Sequence, residues 1–335
     1  MIAGNIRTLL GSIAFLVLAV TALPAQNIYY SQYLSTPLFT NPADVSRGTA
    51  RQVNLNYRSQ GTGEEDNLVT AALTYAQPFM HRESGRTWGG VGVSIVNEQA
   101  GYQGVLRHTG AVAAYAHQVY LNDKMTFGGG LSLGLFSRGI DASRITTSSQ
   151  FTNGGYDPSA GLGEDLNAAS RTYLTLTPGL SWSLLDGAGA NKAFLGVSLF
   201  NANRPDVSFT GQPDRMATHV LLNGGYRIYQ KGLFELMPTF RYIRQRGSSQ
   251  TNIGAISRFS FGAEGLVKPG SVGLGTWYSV NNAAIVSLKI TQPGYFINFS
   301  YDVPAIDKTM NRRVTNALEV SLGWRRDLKA KAKSR

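Results

Sequence analysis

Four histidines, His81, His108, His117 and His219, are the side chains best suited to acid–base or metal chemistry. A catalytic base needs a partner within reach, and a metal site needs ligands at defined spacings. None of the four is paired at a ligand spacing, and no His-Glu-x-x-His run occurs. The acids Glu64, Glu65 and Asp66 stand in one run, which reads as a solvated turn. Gly128-Gly129-Gly130 and Gly161-Leu162-Gly163 lack the strand–glycine–helix setting of a phosphate loop. The chain has no cysteine, so it has no disulfide, thiolate nucleophile or thiolate zinc site. The expectation is a chain with no catalytic residue, no cofactor and no metal. What remains is charge. Arg107, Arg227 and Lys289 fall by register on a strand face shared with small and polar residues, as does His219. Arg241, Arg244 and Arg246 approach one strand end, and Arg312 and Arg313 fall in a late loop. These five read as solvated charge, with lipopolysaccharide phosphates or an exported partner as the alternative contacts.

The elements carrying these residues alternate with period two. Leu131, Leu133 and Leu135 alternate with Ser132 and Gly134; Leu174, Leu176, Leu180 and Trp182 alternate with Thr175, Thr177, Gly179 and Ser181. Leu318, Val320, Leu322 and Trp324 alternate with Glu319, Ser321 and Gly323. Such strands have one greasy and one small or polar face, and a soluble sandwich and a membrane barrel both use them. Fourteen segments of this kind are read near 51–58, 67–77, 87–97, 106–119, 125–137, 172–185, 193–200, 217–229, 233–244, 252–267, 271–280, 283–291, 295–302 and 315–326. Several are long enough to cross a bilayer at a tilt, which takes about 9–11 residues. Tight connections at 122–124, 230–232, 268–270 and 292–294 fall at one end. Long ones at 138–171, 201–216 and 303–314 fall at the other, with shorter members at 59–66, 98–105 and 245–251 and a tight exception at Asn281-Asn282. Tyr75, Trp88, Tyr115, Tyr229, Tyr242, Trp277, Tyr278 and Trp324 lie toward strand ends, as interfacial girdles do. The predicted fold is all-β: a transmembrane antiparallel up-and-down barrel of about 14 strands, with short periplasmic turns and longer extracellular loops.

Composition agrees. Only 15% of the 335 residues are charged, against about 25% in ordinary soluble domains. Glycine (38) and tyrosine (16) are abundant, and one apolar run alone, at the N-terminus, approaches helical membrane-span length. That run, with Arg7 before it and Ala25 after it, reads as a secretory signal peptide over 1–25. The expected organisation is a signal peptide (1–25), an N-terminal periplasmic or plug segment (26–50), a barrel (51–326) and a basic tail (327–335). The formal charge of +11 is uneven, because 325–335 holds six basic residues against Asp327 alone. An exported tail of this kind points to anionic lipid or a protein partner, with no nucleic acid.

The segment after the signal peptide is not strand-like. It reads Gln26-Asn27-Ile28-Tyr29-Tyr30-Ser31-Gln32-Tyr33, then Pro37-Leu38-Phe39-Thr40-Asn41-Pro42-Ala43. It resembles the mature N-terminus of the PorP/SprF family of type IX secretion system outer-membrane proteins, with Ser31, Gln32, Tyr33, Pro37, Leu38, Asn41, Pro42 and Ala43 matching the pattern. Weaker echoes are Asn56-Tyr57-Arg58, Phe194-Leu195-Gly196-Val197-Ser198, His219-Val220, Met237-Pro238 and Phe299-Ser300-Tyr301-Asp302. The family's His-Glu near the start of the last strand is Ala317-Leu318-Glu319 here, with the Glu kept and the His absent, and the basic tail is atypical. The resemblance implies a non-enzymatic component in the cell outer membrane, in contact with outer-membrane lipid. It implies that the chain anchors periplasmic ring lipoproteins and a peptidoglycan-binding lipoprotein, or partners a secreted surface adhesin used in gliding. The eight matching residues are the candidate docking signature. Tyr29, Tyr30, Tyr33 and Phe39 need burial, so residues 26–50 are expected to pack under or into the periplasmic mouth. The alternative function is an outer-membrane channel for small or hydrophobic solutes.

Overall fold

The computed structural model describes residues 28–61, 67–101, 104–141, 144–146, 148–152, 155–157, 159–161, 170–187, 189–209, 213–262, 269–280, 282–304 and 316–328. The expected signal peptide, the acidic run 64–66, Arg312, Arg313 and the tail beyond Leu328 lie outside the described residues. The barrel strands are β1 (Ala50–Gln60), β2 (Leu68–Met80), β3 (Thr87–Ala100), β4 (Leu106–Tyr120) and β5 (Met125–Ile140). Next come β6 (Ser170–Leu185), β7 (Asn191–Phe200), β8 (His219–Tyr226, resumed at Tyr229–Lys231) and β9 (Phe234–Gln245). The last five are β10 (Ser248–Phe261), β11 (Gly270–Ser279), β12 (Ala283–Gln292), β13 (Tyr295–Pro304) and β14 (Ala317–Asp327). Each pairs antiparallel with its sequence neighbours, and β1 pairs with β14. The result is a closed 14-stranded up-and-down barrel with no free sheet edge, as the strand count and loop asymmetry predict.

Exposure decides which way the strands face. Leu133 is 56% exposed and Ile95 58%, whereas Ser94, Ser132, Asn54, Asn56 and Ser321 are buried. The greasy face points outward and the polar face inward, the reverse of a soluble sandwich. Trp277 departs from the expected girdle. Its ring is buried inward over Gly275, and its indole N–H donates to Thr239 Oγ1 at 2.8 Å. Tyr75, Tyr115, Tyr229, Tyr278 and Trp324 are exposed.

The loop asymmetry holds for the longest connections, since 141–169, 201–218 and 305–316 share one end. β10 corrects it in detail. The expected strand over 252–267 runs instead from Ser248 to Phe261, and the expected loop over 245–251 is the turn Arg246-Gly247. Arg246 takes φ +43° there. Ser248, Ser249 and Gln250 carry no hydrophobic pattern, but their backbones complete the ladder with β9. The wider connection then falls at 262–269, on the short-turn end.

Candidate functional site in the barrel lumen

Residues 28–47 lie inside the barrel as three short 3-10 turns, Tyr33–Ser35, Pro37–Phe39 and Pro42–Ser46. Proline begins the second and third, where its missing N–H and fixed φ cost nothing. The segment starts in the long-loop half of the lumen, level with Arg58 near the far end of β1. It descends to the short-turn end, where Ser46 meets Gln118 of β4, and the chain then enters β1. It supplies the apolar interior the polar walls lack, with Tyr30, Leu38 and Val45 packing with Val96, Ala116 and Phe136.

All eight signature residues are buried here. Ser31 and Gln32 sit in a charged cluster at the seam between the first and last strands. Arg58 of β1 pairs with Asp302 of β13 at 2.9 Å and with Glu319 of β14 at 3.2 Å. Glu319 accepts the backbone N–H groups of Ser31 (2.8 Å) and Gln32 (3.1 Å). Ser31 Oγ donates to Asp302 (2.6 Å) and accepts from Arg58 (2.8 Å). The Gln32 amide donates to the Glu319 carbonyl and Ser300 Oγ and accepts from Ser321 Oγ. Each carboxylate is thus matched by a cation or by N–H donors, the condition for keeping buried charge. Tyr33 packs edge-on to Trp277.

Pro37, Leu38, Asn41, Pro42 and Ala43 seat the lower part. Asn41 caps the third turn by accepting from the Ala43 N–H (3.0 Å) and donates to the Leu180 carbonyl of β6 (2.8 Å). The wall opposite is glycine, and the reason is steric. A Cβ on Gly130 would stand 2.4 Å from the Ala43 nitrogen, and one on Gly179 would stand 2.2 Å from Asn41 Oδ1. Leu38 fills the space that a Cβ on Gly92 would need. Part of the glycine content is therefore the imprint of the lumen segment on the strands. Burial holds the Tyr30 and Tyr33 phenols well above their usual pKa, so both stay neutral. Burial also raises Asp44, against the pull of Arg47 at 2.6 Å.

The other candidates divide. His219 faces the lumen and stacks on Phe200. Arg227 also faces inward, bonded to Asp186 and Glu235, and Lys289 lies 4.0 Å over the Phe296 ring. Arg107 is a correction. Its neighbour His108 takes the inward register, so Arg107 points outward at the end of β4 and pairs with Asp141 at 2.8 Å. Arg241 is a second correction. It is 3% exposed on the inward face of β9, not a solvated loop charge. The roles of Arg58, Asp302 and Glu319 were not assigned from sequence, although each lies in a family echo. The available signal was a charge on the polar face of an alternating strand, which demands a partner inside. No group of three or more metal-ligating side chains occurs among the described residues.

The profile described as "Type IX secretion system membrane protein PorP/SprF" matches residues 22–324. The chain belongs to this PorP/SprF family. Membership makes the chain an outer-membrane component of type IX secretion. A search of curated proteins finds no sequence relative. Among solved structures, the P. putida toluene transporter TodX is similar at 12% identity and a TM-score of 0.51, over 91% of this chain and 96% of that one. A TodX deltaS2S3 mutant monoaromatic hydrocarbon channel is similar at 12% identity and 0.50, over 90% and 95%. At this identity the likeness is one of fold, an outer-membrane barrel.

Proposed function

We propose that this PorP/SprF protein is a non-enzymatic, self-plugged scaffold. In this reading it sits in the outer membrane with its short turns toward the periplasm. It anchors the periplasmic ring lipoproteins and peptidoglycan-binding lipoprotein of the secretion machine, or partners a secreted surface adhesin. The observation that carries this reading is the lumen segment. Residues 28–47 run through the barrel and are fixed at both levels, by the Arg58–Asp302–Glu319 cluster above and by Asn41, Pro42 and Ala43 below. The signature residues then act on a partner indirectly. They hold the exit of the segment, where Gly48 and Thr49 are exposed beside the start of β1, as the surface a partner meets. Removal of residues 27–45 tests this. The barrel is expected to insert and to keep its heat-modifiable migration on gels, while pull-down of ring lipoproteins or adhesin is lost. Unchanged pull-down overturns the reading.

A second reading, a channel for small or hydrophobic solutes, draws on a cavity of about 250 Å³ in the long-loop half, lined by Leu38, Phe39, Phe136, Tyr173 and Met216. A toluene transporter shares the fold. Planar-bilayer recording separates the two, since the plugged scaffold is silent and a channel conducts.

A further inference from the structure

Beside the charged cluster lies a second cavity, of about 260 Å³, and its wall is polar. Arg58, Asp302, Gln250 and Arg241 line it, with Phe39 and Leu221 as an apolar side. The two arginines differ. Arg58 spends its charge on two carboxylates. Arg241 has no carboxylate partner among the described residues. Its Nη1 donates to the Tyr30 carbonyl at 2.7 Å, and its Nε and Nη2 donate to nothing. The guanidinium is clamped by aromatic faces, 4.3 Å from the Tyr29 ring centre and 4.6 Å from that of Tyr33.

This arrangement is informative because a cation–π clamp uses the faces of a guanidinium and leaves its edge free. Nε–H and Nη2–H point along one edge as a parallel fork, the geometry that accepts both oxygens of a carboxylate. A buried fork without an acceptor is expensive. Here it is held rigid, at the wall of a cavity whose other arginine, Arg58, is already matched. The two acids of the cavity face other groups, with one oxygen of Asp302, Oδ1, left without a partner among the described residues. Asp302 Oδ2 serves Arg58 and Ser31, and Glu98 accepts from Thr70. Gln250 lines the same space, with its amide held by the Tyr29 hydroxyl and Ser279 Oγ. Gln60, Gln245 and Asn282, toward the long-loop end of the barrel, also line it.

We propose that Arg241 is the anchor of a carboxylate-binding site in the lumen, taking a small organic acid whose short apolar body lies against Phe39 and Leu221. The ligand sits on the lumen segment itself, since Tyr29, Tyr30 and Tyr33 position the fork. Binding therefore tightens the segment in place.

The test is calorimetric titration of the purified full-length barrel in detergent with benzoate, with benzamide as the uncharged control of equal shape. Benzoate is expected to bind at least about tenfold more tightly than benzamide, as the loss of a charge-assisted fork implies. Arg241→Lys keeps the charge and removes the fork, and should weaken benzoate by about 10–100-fold. Heat-modifiable migration confirms that this variant is folded. Leu221→Trp fills the apolar side of the cavity, keeps the arginine and should abolish binding on its own. Equal affinity for benzoate and benzamide, no benzoate binding at all, or full binding to Arg241→Lys overturns the proposal. Displacement of benzoate by inorganic phosphate at equal concentration overturns the carboxylate assignment.

Discussion

Glu319→Ala probes the link between the N-terminal segment and the barrel. Glu319 is fully buried and accepts from Ser31 N, Gln32 N and Arg58 Nη1. Truncation leaves two backbone N–H groups without an acceptor, each costing about 1–3 kcal/mol when buried. Arg58 keeps Asp302 at 2.9 Å and Ser31 at 2.8 Å, so its charge stays partly matched. The total is about 3–4 kcal/mol, in the range for breaking one partner of a buried pair. Nearly all of it falls on docking of the segment, because the strand ladders around Glu319 are backbone bonds that the substitution leaves alone. At about 1.4 kcal/mol per tenfold, the undocked population rises roughly 10²–10³-fold. The chain has no cysteine, which makes the assay direct. Ser35→Cys, a near-isosteric change at a buried position in the first 3-10 turn, is labelled with a maleimide in the native and Glu319→Ala backgrounds. Labelling under slow-reaction conditions tracks the open population. A rise of two to three decades in rate is expected, with heat-modifiable migration intact. An unchanged labelling rate refutes the reasoning, because the segment would then be held by something other than the cluster.

Three further perturbations separate the layers of the structure. Gly130→Val places side-chain atoms where Ala43 now sits, and should raise Ser35→Cys labelling while costing about 1–3 kcal/mol of segment docking; unchanged labelling would mean the glycine is not a steric requirement. Trp277→Phe removes the bond to Thr239 and part of the contact with Tyr33, and should cost about 1–2 kcal/mol in denaturant unfolding of the barrel in detergent. Leu133→Arg puts a charge in the middle of the outward face of β5 and should cost about 2–4 kcal/mol in lipid vesicles; a neutral result would contradict the assignment of this face to lipid.

The barrel was legible in the sequence because its strands obey one rule throughout. Small and polar residues alternate with Leu, Val and Phe, and the rule needs no knowledge of the partner strand. β10 escaped it where Ser248, Ser249 and Gln250 have no greasy alternates, so their pairing with β9 rests on backbone bonds alone. Trp277 and Arg241 were misplaced for a shared reason. Proximity to a strand end says where a residue stands along the barrel, whereas inward or outward is set by parity, and both are inward. The docking signature was legible as a pattern. Its placement was not, since nothing local tells Ser31 that its acceptors lie 271 and 288 positions away.

That separation bears on how the molecule assembles. Arg58 and Glu319 are register partners across the β1–β14 seam, the first and last strands of the barrel. Until that seam closes, the cluster that receives Ser31 and Gln32 does not exist. The carboxylate comes from β14 and the guanidinium from β1, and neither alone matches the other's buried charge. The glycine seats for Ala43 and Asn41, on β5 and β6, likewise form a concave wall only once the sheet has curled. The docking contacts of the lumen segment are therefore complete only after the barrel closes. Its polar contacts also favour that order. A greasy plug would compete for the outward-facing lipid surface during folding, whereas a segment held by N–H groups on Glu319 finds its partners only in the closed, polar interior.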